Sequence, residues 1–460
     1  MMGDGSLHEV AASATRPGAA AGSSGSSGVR FMTLEPGHFH AALVQKSMYP
    51  GVSPEVDIYA SPGPDLDAHL KRIAGFNARQ NRPTSWKLRV HSSSDAFARM
   101  LSAPSGNAVI IAGRNRPKID YVTGAVEHGL NLLVDKPWII RSEDLDRLEE
   151  ALQKAKSRGL VAFDIMTERF EVTNALQRVL VNDPEVFGSI ETGSADQPAV
   201  YMRSVHHIVK EAAGTRLWRP AWFFDIAEQG EALADVGTHL VDLSLWTIFP
   251  AVMLDHRGDA RVNAARRWPT VMTREEFMDV TGEADFPPAL SPWVEDETLL
   301  FFANTAVEYE LRGIHVKLEA LWDRESQHGD THHAVYRGDR SRIEVRQGEA
   351  EAWVPEVYVI PNRPEWKSQV ADALRRRVAA LQERWEGLGV EEGSEWMRLI
   401  VPPRHRLGHE AHFAEVTAEF LSYLEDPGSL PAWETAYMLT KYAITTAGTD
   451  LSRAGSAAAR

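Results

Sequence analysis

Asn131-Leu132-Leu133-Val134-Asp135-Lys136-Pro137-Trp138 is a short apolar run that closes on an acid, a lysine and a proline. A run of that length reads as a buried strand, and the proline fixes the direction in which the chain leaves it. Upstream, residues 29–34, 56–60, 88–91 and 107–112 have the same texture, and residues 95–100 and 119–128 between them carry helical spacing. Strands that alternate with helices predict an α/β domain over residues 29–163, built on a doubly wound parallel sheet. Such sheets take ligands beyond the carboxyl ends of their strands. That places Lys136 at a crevice; a solvated surface turn is the other reading of the tripeptide.

Working outward, residues 1–28 are rich in Gly, Ala and Ser and predict a disordered segment. They contain no sustained apolar stretch of the kind a secretory signal needs. Past Phe163 the texture changes. Strand-like stretches at 298–309, 315–322, 332–336 and 342–346 follow one another without helices between them. They predict an α+β domain over residues 164–450 with a mixed or antiparallel open sheet. Residues 364–396 read as a charged helical stretch, 412–423 and 433–445 as packed helices, and 451–460 as a flexible tail. An exposed apolar sheet face predicts a homo-oligomer.

A formal net charge of -15 over 460 residues opposes a nucleic-acid partner. The absence of cysteine excludes disulfides, thiolate catalysis and Cys-type metal centres. No apolar run reaches the length of a membrane span, so the expected location is cytoplasmic.

The first strand runs into Leu34-Glu35-Pro36-Gly37-His38-Phe39-His40-Ala41, where a dinucleotide fold places a glycine-rich turn at a helix N-terminus. Aligned on G-x-G-x-x-G, Gly37 stands at the middle glycine, with Glu35 and His40 at the other two. The second strand is followed by Ser61-Pro62-Gly63-Pro64-Asp65, with no terminal acid or base to choose between NAD and NADP. Asp65 and Asp67 read as helix caps. Dinucleotide is expected where Gly37, His38 and Phe39 meet Gly113, Arg114, Asn115 and Lys136.

Asp235-Val236-Gly237-Thr238-His239-Leu240-Val241-Asp242 opens an otherwise apolar helix. At about 100° per residue, Asp235, His239 and Asp242 fall within a stripe of roughly 60°. Buried charges need partners or a task, so the stripe reads as a cleft-lining acid/base set or as a structural Asp–His pair. Trp218, Trp222, Arg203 and His207 precede this helix and offer aromatic and polar contacts to a carbohydrate.

The Asp135-Lys136-Pro137 step resembles the Glu-Lys-Pro motif of the Gfo/Idh/MocA oxidoreductases, and residues 235–242 resemble that family's Asp-x-Gly-x-His-x-x-Asp helix. Arg406-Leu407-Gly408-His409-Glu410-Ala411-His412-Phe413 and Lys441-Tyr442-Ala443-Ile444-Thr445-Thr446 resemble a branch with its own C-terminal oxidoreductase domain, which tolerates the Gly-His-Phe-His turn. The resemblance implies a Rossmann-like first domain, NAD or NADP as cofactor, and hydride transfer from a secondary hydroxyl of a sugar, glycoside or polyol. It implies Lys136 beside the nicotinamide and the reacting hydroxyl, Asp235 as the substrate-orienting acid and His239 as the acid/base; Asp242 is expected at the substrate, with an orienter behind the base or a structural hydrogen-bond acceptor as the other readings. Two other functions are weighed: an NAD-recycling glycosidase or lyase acting through a transient keto-sugar, and a non-catalytic sugar or nucleotide sensor.

Histidines at 206–207, 328, 332–333, 405, 409 and 412 invite a metal reading. None has the His-Glu-x-x-His spacing, since His409-Glu410-Ala411-His412 is one residue short. No metal ligand is assigned.

Overall fold

The computed structural model describes residues 28–212 and 215–458. Apart from Gly28, the N-terminal segment expected to be disordered lies outside them.

Six strands, β1 (Phe31–Leu34), β2 (Glu55–Ala60), β3 (Lys87–Ser92), β4 (Ala108–Ile111), β5 (Asn131–Asp135) and β6 (Ala162–Ile165), form a parallel sheet in the order β3-β2-β1-β4-β5-β6. β1 and β4 are buried along their whole length, as continuous apolar strands are when helices cover both faces. β3, at the edge, carries Lys87, Arg89 and His91 and is largely exposed, which blunts an open edge. The intervening helices are α1 (His40–Val44), α2 (Pro64–Ala78), α3 (Ala96–Ser102), α4 (Lys118–Glu127) and α5 (Leu145–Ser157). In α5 the buried residues Leu148, Ala151, Leu152 and Ala155 recur at helical spacing, so one stripe meets the sheet.

The expected domain boundary at Phe163 falls inside β6. That strand continues to Ile165, and a single turn, Thr167–Phe170, follows it with Glu168 and Arg169. The strand escapes a periodicity reading because Asp164 interrupts its four residues.

The second domain begins with α6 (Val172–Val181) and β7 (Val200–His207). A small ribbon of β8 (Glu211–Ala212) and β9 (Thr215–Arg216) leads to α7 (Val236–Ile248), β10 (Ala260–Met272) and α8 (Arg274–Thr281). Then come β11 (Val294–Glu295), β12 (Thr298–Leu311), β13 (Ile314–Asp323), β14 (Thr331–Arg337), β15 (Ser341–Arg346), β16 (Glu356–Pro361), α9 (Lys367–Ala380), β17 (Gly389–Glu392) and β18 (Met397–Ile400). Ten of these strands make one sheet in the order β10-β12-β13-β7-β14-β15-β16-β18-β17, with β11 beside β12. The β13–β7 pair is parallel and its neighbours are antiparallel, so the sheet is mixed.

Strict alternation of burial along β13 gives the sheet one apolar face, covered by a core that includes Leu176, Leu180, Leu240 and Leu243 of α6 and α7. The other face carries Tyr201, Arg203, Lys317 and Glu319 in register. It is therefore mixed and charged rather than the apolar surface the sequence predicts.

Two further expectations are corrected. The helical stretch placed at 364–396 ends at Ala380, and the chain turns at Gly387, with φ +83°, into β17. The last two helices, α10 (His409–Glu425) and α11 (Ala432–Ala458), fold back onto the first domain. Phe413, Val416, Phe420 and Tyr423 join the core on one side of the parallel sheet, and Met438, Leu439 and Tyr442 join the core on the other. Helix α11 also continues through the expected flexible tail to Ala458, where alanines favour helix. No helix among the described residues is long and apolar enough to cross a membrane.

Candidate active site

The parallel sheet reverses its strand order between β1 and β4, and a crevice opens beyond their carboxyl ends. A cavity of about 860 Å³ there is lined by Glu35, Gly37, Ser61, Gly63, Asp65 and Arg114, among others. Any side chain at Gly113 would meet the Glu35 carbonyl at 2.2 Å, so this glycine lets the exit of β4 lie against that of β1. A Cβ at Gly37 would stand 3.2 Å from both Asp65 Oδ2 and the Trp222 ring. The turn amides are already engaged: Gly37 N–H donates to Glu35 O (2.7 Å) and His38 N–H to Ala112 O (3.1 Å). The Glu35 carboxylate accepts from Ser61 N at 3.0 Å and Ser61 Oγ at 2.9 Å, which closes off the end of β2. Positive charge in this cavity comes from Arg72, Arg114 and Arg219.

Gly37, His38, Phe39 and Arg114 therefore line the crevice as expected. Gly113 and Asn115 do not face it. The Asn115 amide donates to Gln229 O (2.6 Å) and Oε1 (3.1 Å), and its oxygen accepts from Lys118 Nζ (2.7 Å). Asn115 is buried and joins Gln229 to Lys118.

A second cavity of about 700 Å³ lies where the two domains meet, and His38 and Phe39 line both. Lys136, Asp235 and His239 all face this second cavity. Lys136 leaves the end of β5 through a cis Lys136–Pro137 bond. Its Nζ donates to Asp235 O (3.0 Å) and Oδ1 (2.6 Å). Burial opposes a charge on Asp235, but Lys136 outweighs it and holds the carboxyl at about 2. His239 sits one turn along α7 with a buried Nδ1 that has no partner. Burial, with Lys136 acting in the same direction, pushes its imidazole down to about 3, so it is neutral at physiological pH. Beneath Lys136, the fully buried Lys118 donates to Asp135 O (2.7 Å), and burial lowers it to about 8.

Asp135 gathers two histidines. His38 Nδ1 lies 3.1 Å from Asp135 Oδ2, and His40 Nδ1 lies 3.1 and 3.0 Å from Oδ1 and Oδ2. The sequence shows His40 only as a departure from a glycine fingerprint; parallel β1 and β5, flanking β4, bring it to Asp135.

The expected substrate residues divide. Trp218 and Trp222 face the first cavity, and Trp222 Nε1 donates to Asp65 Oδ2 (3.0 Å). Arg203 points to the outer sheet face near Glu319. His207 is buried with its Nδ1 3.2 Å from Asp330 Oδ1, while its neighbour His206 lines the second cavity.

Asp242 is not on either cavity. Arg169 holds it bidentately through Nε and Nη2 (both 2.7 Å), and Lys441 Nζ adds a bond at 3.0 Å. Lys441 also donates to Asp164 Oδ2 (2.8 Å), and Arg169 to Glu434 Oε1 (2.7 Å). The helical stripe is real, but its last member is turned into this buried network, where a desolvated carboxylate finds its compensation. The second cavity also takes in Glu168 and Arg219, which the sequence did not single out, and His332 and His409, which it offered only as metal candidates. Glu168 was hidden by the boundary drawn inside β6, and the others come from distant segments.

Residues 176–453 match the family model described as "Putative oxidoreductase C terminal domain", and residues 62–163 match "Oxidoreductase family, NAD-binding Rossmann fold". The chain belongs to the Gfo/Idh/MocA oxidoreductases. A crystal structure of a putative oxidoreductase from Parabacteroides merdae is 40% identical, with a TM-score of 0.90 over 93% of this chain and 98% of that one. An oxidoreductase domain protein from Kribbella flavida shares the fold at 16% identity (TM-score 0.61; 94% and 98% covered). So does KijD10, a 3-ketoreductase from Actinomadura kijaniata solved with TDP-benzene and NADP, at 13% identity (TM-score 0.54; 93% and 98% covered). The putative oxidoreductase YteT of Bacillus subtilis aligns at 29% identity over 72 residues, 16% of this chain and 17% of that protein.

As a member of the Gfo/Idh/MocA oxidoreductases, the chain carries a Rossmann domain for a nicotinamide dinucleotide, NAD or NADP. The crevice fits that group: it lies at the switch point, Gly37 and Gly63 line it, and three arginines face it. The turn amides of Gly37 and His38 and the Ser61 hydroxyl are spent inside the protein, which leaves Arg72, Arg114 and Arg219 as the cationic groups of the crevice.

Proposed function

We propose that this chain interconverts a secondary alcohol and a ketone on a sugar, glycoside or polyol, with NAD or NADP as the hydride partner. The observation that carries the reading is the meeting of Lys136, Asp235 and a neutral, unpartnered His239 on one cavity that adjoins the dinucleotide crevice through His38 and Phe39. Gly37, Phe39, Arg72 and Arg114 would hold the dinucleotide. Bound, it supplies a ring that accepts hydride.

The protein's own residues move the proton and place the substrate. The neutral His239 imidazole takes the hydroxyl proton. Lys136, fixed by Asp235, donates to the oxygen as negative charge develops there. Asp235 orients both the ammonium and a neighbouring hydroxyl. His206, Arg219 and His409 on the same cavity offer further contacts to a polyhydroxylated ligand.

One observation favours a redox-neutral variant, in which a transient keto-sugar is cleaved before the cofactor is restored. Glu171 lines the same cavity, and burial, with Glu168 adding, pushes its carboxyl up to about 7. A second acid/base at that value suits removal of the acidified proton on the carbon beside the ketone, with the leaving group expelled from the next carbon. Absorbance of the nicotinamide during incubation with sugars separates the readings: a net change marks a dehydrogenase, and substrate consumption without one marks the recycling enzyme. Neither change would leave a sensor. Self-association belongs to the same proposal, and sedimentation showing only monomer would remove it.

A further inference from the structure

The first glycine position of the dinucleotide turn is Glu35 and the third is His40, so a turn that usually keeps side chains away from a phosphate here carries ligand-bearing ones. His38 and His40 converge on one acid across the sheet. Nδ1 of each lies 3.0–3.1 Å from Asp135 Oδ2, and the three donor atoms all fall within 4.8 Å of one another.

Two imidazoles and one carboxylate are the donor set of facial sites for divalent first-row metals, which leave positions open for other ligands. Metal–nitrogen bonds of about 2.1 Å put neighbouring corners of an octahedron about 3 Å apart. The His–Asp separations already match that spacing. His40 and Asp135 are buried at 7% and 3% exposure, while both histidines line the substrate cavity. Asp135 would offset part of the ion's charge, and the adjacent Lys136 is paired with Asp235.

We propose that His38, His40 and Asp135 bind a divalent transition-metal ion whose open positions face the substrate cavity. There it is placed to take a hydroxyl or keto oxygen of a polyhydroxylated ligand as a Lewis acid. The inference does not depend on which alcohol reacts, because it concerns the ion alone.

The test uses the full-length protein, stripped with a chelator and titrated separately with Co²⁺ and Mn²⁺ in a calorimeter, with the Co²⁺ absorption bands read in parallel. One ion per chain is expected, with Co²⁺ bands of a nitrogen/oxygen site. His40→Gln and Asp135→Asn, each checked for unchanged circular dichroism, should weaken binding by about 100-fold or more, beyond what loss of a supporting hydrogen bond gives. Should His40→Gln unfold, His38→Gln, on a more exposed side chain, makes the same comparison. The proposal is overturned if the wild-type protein binds neither ion, or if folded variants bind with unchanged stoichiometry and affinity, which would place the ion at other histidines.

Discussion

Lys136 Nζ is held by Asp235 twice, at the backbone carbonyl (3.0 Å) and at Oδ1 (2.6 Å), so the end of β5 in one domain is tied to the residue that opens α7 in the other. The bond sets where the ammonium points and ties the two domains together at the edge of the second cavity. Asp235→Asn keeps the shape and removes the charge that fixes Lys136. Turnover should fall by about 10²-fold, in the range of a lost electrostatic contact to the reacting oxygen, with dinucleotide affinity nearly unchanged. Lys136→Ala should lower both turnover and dinucleotide affinity. Steady-state kinetics beside calorimetric nucleotide binding distinguishes the two; equal kinetics for all three proteins would contradict the assignment.

Gly37→Val tests the crevice. A branched side chain there would press on Asp65 and Trp222, which stand 3.2 Å from even a Cβ. Dinucleotide binding should weaken at least tenfold while far-ultraviolet circular dichroism is kept. Unchanged affinity would mean that the pyrophosphate lies elsewhere.

Lys441 is wholly buried between Asp164 of the first domain and Asp242 of the second. Lys441→Met leaves the two carboxylates to Arg169, Tyr442 and Trp138 alone. Removing one partner of a buried ionic group typically costs about 3–5 kcal/mol. Thermal unfolding should shift down by several degrees, and a midpoint within a degree of the wild type would show that the network is not stabilising.

His69 is 2% exposed with both ring nitrogens unpartnered, and burial, with Arg72 adding, pushes it down to about 3. The folded state thus binds fewer protons than the unfolded chain below the ordinary value of 6.5. Its contribution is complete above that value and is lost as pH falls toward 3. His332 and His412, each lowered to about 4 by burial, act in the same direction. Denaturant midpoints measured from neutrality to about pH 4 should fall more gently in His69→Leu than in the wild type. Parallel curves would exclude His69 as a contributor.

The parallel sheet was legible because β1, β4 and β5 are apolar runs between helices, and Lys136, Asp235 and His239 were legible because two local motifs carry them. What escaped depended on return of the chain. Neither α10 nor α11 announces that it packs on a sheet nearly 300 residues earlier. Asp242 shares a helical stripe with His239, yet its partners Arg169 and Lys441 come from either side in sequence, and only packing shows that it is spent on structure. Likewise, His40 reads as a lost glycine until β5 brings Asp135 beside it.

The measurement closest to the central claim is a single turnover with nicotinamide-loaded protein and a panel of sugars deuterated at the carbinol carbons. Wild-type protein should form reduced nicotinamide carrying the deuterium, and His239→Ala, with its fold and nucleotide binding confirmed, should do so about 10²–10⁴-fold more slowly. Deuterium transfer at the wild-type rate in His239→Ala, or no reduced nicotinamide from any sugar in the wild type, would contradict the account.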